Sequence, residues 1–160
     1  MEFRVEVPDV EELAAGEPRA LVVENARRKA SAVAGEHVLG VDTAVVLDGR
    51  VFGKPSDSGE AETFLRRLSG RTHEVMSGIV VRNGLDERSD VATTRVRFRR
   101  LEQPDIDWYL STGEWEERAG GYAIQGRGAA LVEEIEGDYW NVVGLPVPAL
   151  LRLAPDLIRP

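Results

Sequence analysis

The chain has 160 residues, 42% of them hydrophobic, and a formal net charge of −8, which suits a single domain spanning residues 1–160 with a real core. So acidic a surface repels phosphates overall and makes neither nucleic acid nor an anionic membrane an expected partner, while leaving room for one phosphorylated small molecule in a local cationic pocket. With no cysteine, disulfides, a thiolate nucleophile and zinc–thiolate sites are excluded, and with two histidines a histidine-rich metal centre is not expected.

Residues 2–7 alternate polar and apolar like a strand, unlike a secretory leader, and no apolar run has the length of a membrane span. The expected compartment is the cytoplasm. An acidic turn, Pro8 to Glu12, leaves this strand. A helix is predicted over 18–34, opened by Pro18 and stopped by Gly35.

Val38 to Pro55 is the most informative stretch. An apolar strand, Val38 to Leu47, carries one carboxylate, Asp42, beside one hydroxyl, Thr43. Asp48-Gly49 predicts a two-residue hairpin turn, because both residues tolerate positive φ. Val51-Phe52 return, and Gly53-Lys54-Pro55 ends the hairpin with a cation. A carboxylate inside an apolar strand is costly unless a cation or hydrogen bonds hold it. An ordinary buried Asp, satisfied by a turn, would carry the same local pattern.

Ser58 is predicted to cap a helix running to about Ser69. Residues 72–82 and 88–99 read as long strands joined through Asn83-Gly84. Arg95, Arg97 and Arg99 alternate with Val96 and Phe98, the pattern of a solvated sheet face. A helix opens at Pro104, a glycine-punctuated segment runs from Ala119 to Gly126, and a strand is predicted from Ala129 to Ile135. Gly137 to Asn141 reads as a turn, and a last helix follows Leu145-Pro146. Helices interleaved with long strands give an α/β class: a twisted mixed sheet flanked by helices.

Of the 20 basic residues only Lys29 and Lys54 are lysine. Lysine offers a compact, mobile point charge that the planar arginine fork does not reproduce. One of the two sits in the Asp42 hairpin, which points to a role in binding charge.

Six segments together resemble one family. They are Ala26-Arg27-Arg28-Lys29-Ala30; Gly40-Val41-Asp42-Thr43 with Gly53-Lys54-Pro55; Leu68-Ser69-Gly70-Arg71-Thr72-His73; Ala119-Gly120-Gly121-Tyr122-Ala123-Ile124-Gln125-Gly126; Ile135-Glu136-Gly137-Asp138-Tyr139; and Asn141-Val142-Val143-Gly144-Leu145-Pro146. In this order they resemble the Maf family of nucleoside triphosphate pyrophosphatases. The resemblance implies an inosine-triphosphatase-like fold with a nucleotide cleft, and hydrolysis between the α- and β-phosphates to a nucleoside monophosphate and pyrophosphate. It implies Asp42 as the catalytic carboxylate, Glu12 and Asp42 as ligands of a divalent cation (Mg²⁺ or Mn²⁺), and Lys29 and Lys54 on the phosphates. It also implies a cytoplasmic enzyme and a possible homodimer.

Asp42-Thr43 and Ile124-Gln125-Gly126 match the branch acting on dTTP and UTP, where Thr43 and Gln125 set base choice. The branch acting on 7-methyl-GTP carries Asp-Gln and Ser-Glu-Gly instead, and that substrate is the alternative. The family pattern also places an S-x-S-P-R-R phosphate loop and its strand ahead of Phe3, whereas this sequence begins Met1-Glu2. Weak turnover and an open sheet edge beside residues 38–47 are the resulting expectations. A catalytically impaired relative with a regulatory role in septum formation is the competing reading.

Overall fold

The computed structural model describes residues 3–158. Five strands form one open sheet in the order β2-β1-β3-β4-β5: β1 His37–Leu47, β2 Arg50–Phe52, β3 Thr72–Asn83, β4 Asp86–Phe98 and β5 Val132–Glu136. Five helices accompany them: α1 Pro18–Ser31, α2 Ser58–Leu68, α3 Gln103–Ser111, α4 Tyr139–Val143 and α5 Val147–Leu153.

The α/β class holds, with one correction: every strand pair among the described residues is antiparallel, so the sheet is not mixed. Tight turns join β1 to β2 and β3 to β4, which forces those pairs antiparallel. The α2 crossover carries the chain from β2 over β1 to its far edge, so β2 and β3 point the same way but never pair. At the first turn Asp48 and Gly49 have φ of 52° and 73°, the doubly left-handed geometry their sequence predicts.

Residues 3–12 form no strand. Alternation alone does not make one; Phe3, Val5 and Val7 are exposed and pair with no sheet edge among the described residues. Asp57, not Ser58, caps α2, its carboxylate accepting from Glu60 N at 2.8 Å. The fifth strand starts at Val132 because 127–131 coil into a 3-10 turn, and the expected turn near 139–141 winds into α4, capped by Asp138. The arginine row lies on a solvated face as expected, with Arg95 and Arg97 paired to Glu136 and Glu133.

The period of two along β1 sorts the core. Val45 and Leu47 pack with Phe52, Leu65, Leu68, Phe98, Ile106 and Tyr109 beneath α2 and α3. Ala44 and Val46 pack with Leu21, Val22 and Met76 beneath α1. Two glycines let α1 lie very close to the sheet. A Cβ on Gly40 would sit 2.2 Å from the Ala26 carbonyl oxygen, and one on Gly78 would sit 2.3 Å from that of Val22. Gly78 is also the cross-strand partner of Asp42. No helix among the described residues is long and apolar enough to cross a membrane.

Candidate active site

Strand β2 covers β1 only at Val45–Leu47. Along 37–44 that edge of β1 has no neighbouring strand among the described residues, and Asp42 and Thr43 lie on it. A cleft of about 170 Å³ opens there, lined by Lys29, Asp42, Thr43, Lys54, Tyr122 and Gln125, and walled by 117–119 and 142–144. Five of the six residues singled out from sequence thus border one concavity. The sixth, Glu12, joins them through Lys29.

Lys29, near the C-terminal end of α1, is the hub. Its Nζ lies 2.6 Å from Asp42 Oδ1 and 2.9 Å from Glu12 Oε1. Burial alone would push its pKa down, but the hydrogen bonds and charges of Asp42 and Glu12 outweigh that and hold the ammonium above its usual range. Asp42 is only 7% exposed, and its second oxygen accepts from Asn25 Nδ2 at 3.2 Å. Asn25 is buried in α1 and tied to Leu13, donating to its carbonyl at 3.0 Å and accepting from its N–H at 2.7 Å. That clamp brings the otherwise irregular 3–13 segment onto the helix and delivers Glu12 to Lys29.

Lys54 approaches from the turn after β2. It is half exposed and pairs with Glu117 at 3.2 Å. Glu117 has φ of 57°, a left-handed conformation uncommon for a glutamate. Beside it Arg118 borders the cleft, exposed, its guanidinium making no hydrogen bond or ion pair among the described residues. Thr43 faces away from α1, its Oγ1 2.8 Å from Ser77 Oγ. The wall at 142–144 is fixed by Asn141, whose amide donates to Val75 O and Thr94 Oγ1, both at 3.0 Å.

Beneath the cleft Tyr122 shares a 2.8 Å hydrogen bond with His73 Nε2. Burial lowers the His73 pKa to about 4 and pushes the Tyr122 phenol up, so at neutral pH both are uncharged.

The donor set fits a divalent cation of the magnesium type. Among the described residues no three His, Asp or Glu cluster into a ready-made metal cage. Asp42 and Glu12 do converge on one cation, the Lys29 ammonium. Two carboxylates completed by water and substrate phosphate is the set Mg²⁺ uses in phosphoryl chemistry.

Sequence reading missed Asn25, Glu117 and Arg118. Asn25 carried a signal, since an asparagine among the apolar positions of a helix needs buried partners. Arg118 carried none, being one arginine among many.

A family model described as "Maf-like protein" matches residues 1–157. The chain belongs to the Maf family. A dTTP/UTP pyrophosphatase of Symbiobacterium thermophilum is 51% identical over 157 residues, covering 94% of this chain and 81% of that protein. One from Thermus thermophilus is 49% identical with the same coverage, and one from Thermococcus gammatolerans is 45% identical over 95% of this chain and 84% of its own length. Within this Maf protein, four of the six segments quoted above contribute to the cleft lining, and His73, from a fifth, lies beneath Tyr122.

Proposed function

We propose that the chain is a divalent-metal-dependent nucleoside triphosphate pyrophosphatase acting on dTTP and UTP. The observation that carries this reading is the convergence of Asp42, Glu12 and Lys29 at one end of a cleft that Lys54, Thr43 and Gln125 also border. The names of its relatives, similar across more than 90% of the chain, supply the substrate class.

In this reading Lys29 and Lys54 bind and partly neutralise the triphosphate. Asp42 orients a water and takes its proton at a carboxylate oxygen. The water oxygen bonds to the α-phosphorus as the bond to the α–β bridging oxygen breaks, giving the monophosphate and pyrophosphate. Glu12 and Asp42 would hold the cation, which when bound supplies charge neutralisation at the phosphates. Substrate competes for Lys29 and Lys54 with Glu12 and Glu117, so binding exchanges protein carboxylates for phosphate oxygens. Thr43 and Gln125 offer a hydroxyl and an amide, which match the carbonyl and imide edge of a pyrimidine. A cationic methylguanine would call for a carboxylate there.

The test is pyrophosphate release from dTTP, UTP and 7-methyl-GTP with Mg²⁺. Turnover of the two pyrimidine nucleotides above 7-methyl-GTP is expected. Preference for 7-methyl-GTP, or no release from any of the three, rejects the reading.

A further inference from the structure

Gln125 is exposed, and its amide makes no hydrogen bond among the described residues. An exposed amide discriminates between bases only if its backbone is held still. Two anchors flank it, one from α3 and one from the turn that follows it. On one side Ala123 N donates to the buried Tyr109 hydroxyl at 2.9 Å. On the other, Arg127 N donates to Glu114 Oε2 at 2.7 Å.

Glu114 is itself fixed. Its N–H donates to Thr112 Oγ1 at 3.1 Å, and that hydroxyl donates to Tyr109 O at 2.6 Å. The carboxylate lies against Gly126, where a Cβ would come within 2.4 Å of Oε2. Glu114, Gln125 and Gly126 border a second, open concavity of about 280 Å³ on this side of the turn.

From this arrangement we infer that Glu114 is a positioning residue: it locks the turn bearing Gln125 and so sets the preference of the cleft for a uracil or thymine base over cytosine. The inference deepens the function proposed above and rests on it. Glu114 acts through the Arg127 N–H, and a side chain at Gly126 would have to displace the Glu114 carboxylate.

Three variants separate positioning from general structure. Glu114→Leu removes the acceptor. Glu114→Gln retains an acceptor oxygen. Gly126→Ala drives the carboxylate off the Arg127 N–H and stands in for Glu114→Leu if that variant does not fold. Amide hydrogen exchange at Arg127 and the ratio of kcat/KM for UTP over CTP are measured in each. Glu114→Leu and Gly126→Ala should speed exchange and lower the UTP/CTP ratio by about tenfold, mainly through KM for UTP, while Glu114→Gln keeps most of both. The Leu and Ala changes combined should cost no more than either alone.

Unchanged exchange at Arg127 in Glu114→Leu overturns the anchor. Faster exchange with an unchanged UTP/CTP ratio overturns the link to specificity and leaves the proposed function standing. If the unaltered chain does not prefer UTP over CTP, recognition of the uracil imide edge by Gln125 fails, and this inference fails with it, while pyrophosphate release from dTTP and UTP above 7-methyl-GTP still stands or falls on its own assay; that result is visible before any variant is compared.

Discussion

Lys29 Nζ sits 2.6 Å from Asp42 Oδ1, joining a helix to a strand at the mouth of the cleft. The contact is charge-assisted and mostly shielded from water, so each group needs the other. The other Asp42 oxygen accepts from Asn25 Nδ2 at 3.2 Å, so α1 holds the carboxylate at both ends.

Asp42→Asn should fold and lose pyrophosphate release by about two to four orders of magnitude, the usual span for a lost general base. The amide remains able to accept from Lys29 but takes no proton from water. Pyrophosphate release from UTP and a thermal melt check this together. Turnover within a few-fold of the unaltered chain would remove Asp42 from the chemistry.

Lys54 and Glu117 should matter for binding and hardly for stability. Their pair is exposed, and such pairs contribute about 0–1 kcal/mol. Lys54→Ala should raise KM for UTP with little change in melting temperature. Glu117→Asn should lower KM, because it frees Lys54 and places in the left-handed region a residue that tolerates it. Steady-state kinetics of both variants decide the point, and a higher KM for Glu117→Asn would show that the carboxylate helps substrate rather than competing with it.

Gly78→Ala should damage fold and activity at once. Its Cβ would meet the Val22 carbonyl at 2.3 Å, a contact with helix backbone that no rotamer change relieves. Overpacking of this kind costs about 1–3 kcal/mol, and lifting α1 would carry Lys29 and Asn25 away from Asp42. A denaturant melt and a UTP assay measure the two effects. Unchanged stability would mean that α1 is not seated as tightly as these distances require.

Stability should fall on acidification through His73. Burial depresses its pKa in the folded state to about 4, against 6.5 for the ordinary side chain. The unfolded chain therefore binds the proton first. The contribution is complete above about pH 6.5 and is lost as pH falls toward 4, amounting to about 3 kcal/mol across that window. His73→Asn should flatten this part of the stability–pH curve in urea melts at several pH values. An equally steep curve in the variant would assign the acid sensitivity to carboxylates instead.

The hairpin from His37 to Phe52 was legible because its signals are local: alternation, an Asp-Gly turn and a lone buried carboxylate. The two lysines stood out against an otherwise all-arginine background. What could not be read depends on contacts distant in sequence. Nothing within residues 2–7 tells whether an alternating segment finds a strand to pair with. The antiparallel order follows from where the α2 crossover deposits β3, which the helix sequence does not encode. Glu12 reaches Lys29 only because Asn25 holds Leu13, a link between a helix interior and a coil.

The glycine slot under α1 has a consequence for how this site can change. With helix backbone seated almost on the strands at Gly40 and Gly78, the spacing between the α1 and β1 backbones that carry Lys29 and Asp42 is set by main-chain thickness. This half of the cleft is built as a fixed gauge, which suits the role proposed for it, since the phosphate chain is the same in every nucleoside triphosphate. The opposite wall, residues 117–126, is built of turns whose shape rests on single side chains. Under the function proposed above, base preference could be rewritten there one residue at a time, without disturbing the Lys29–Asp42 side of the cleft.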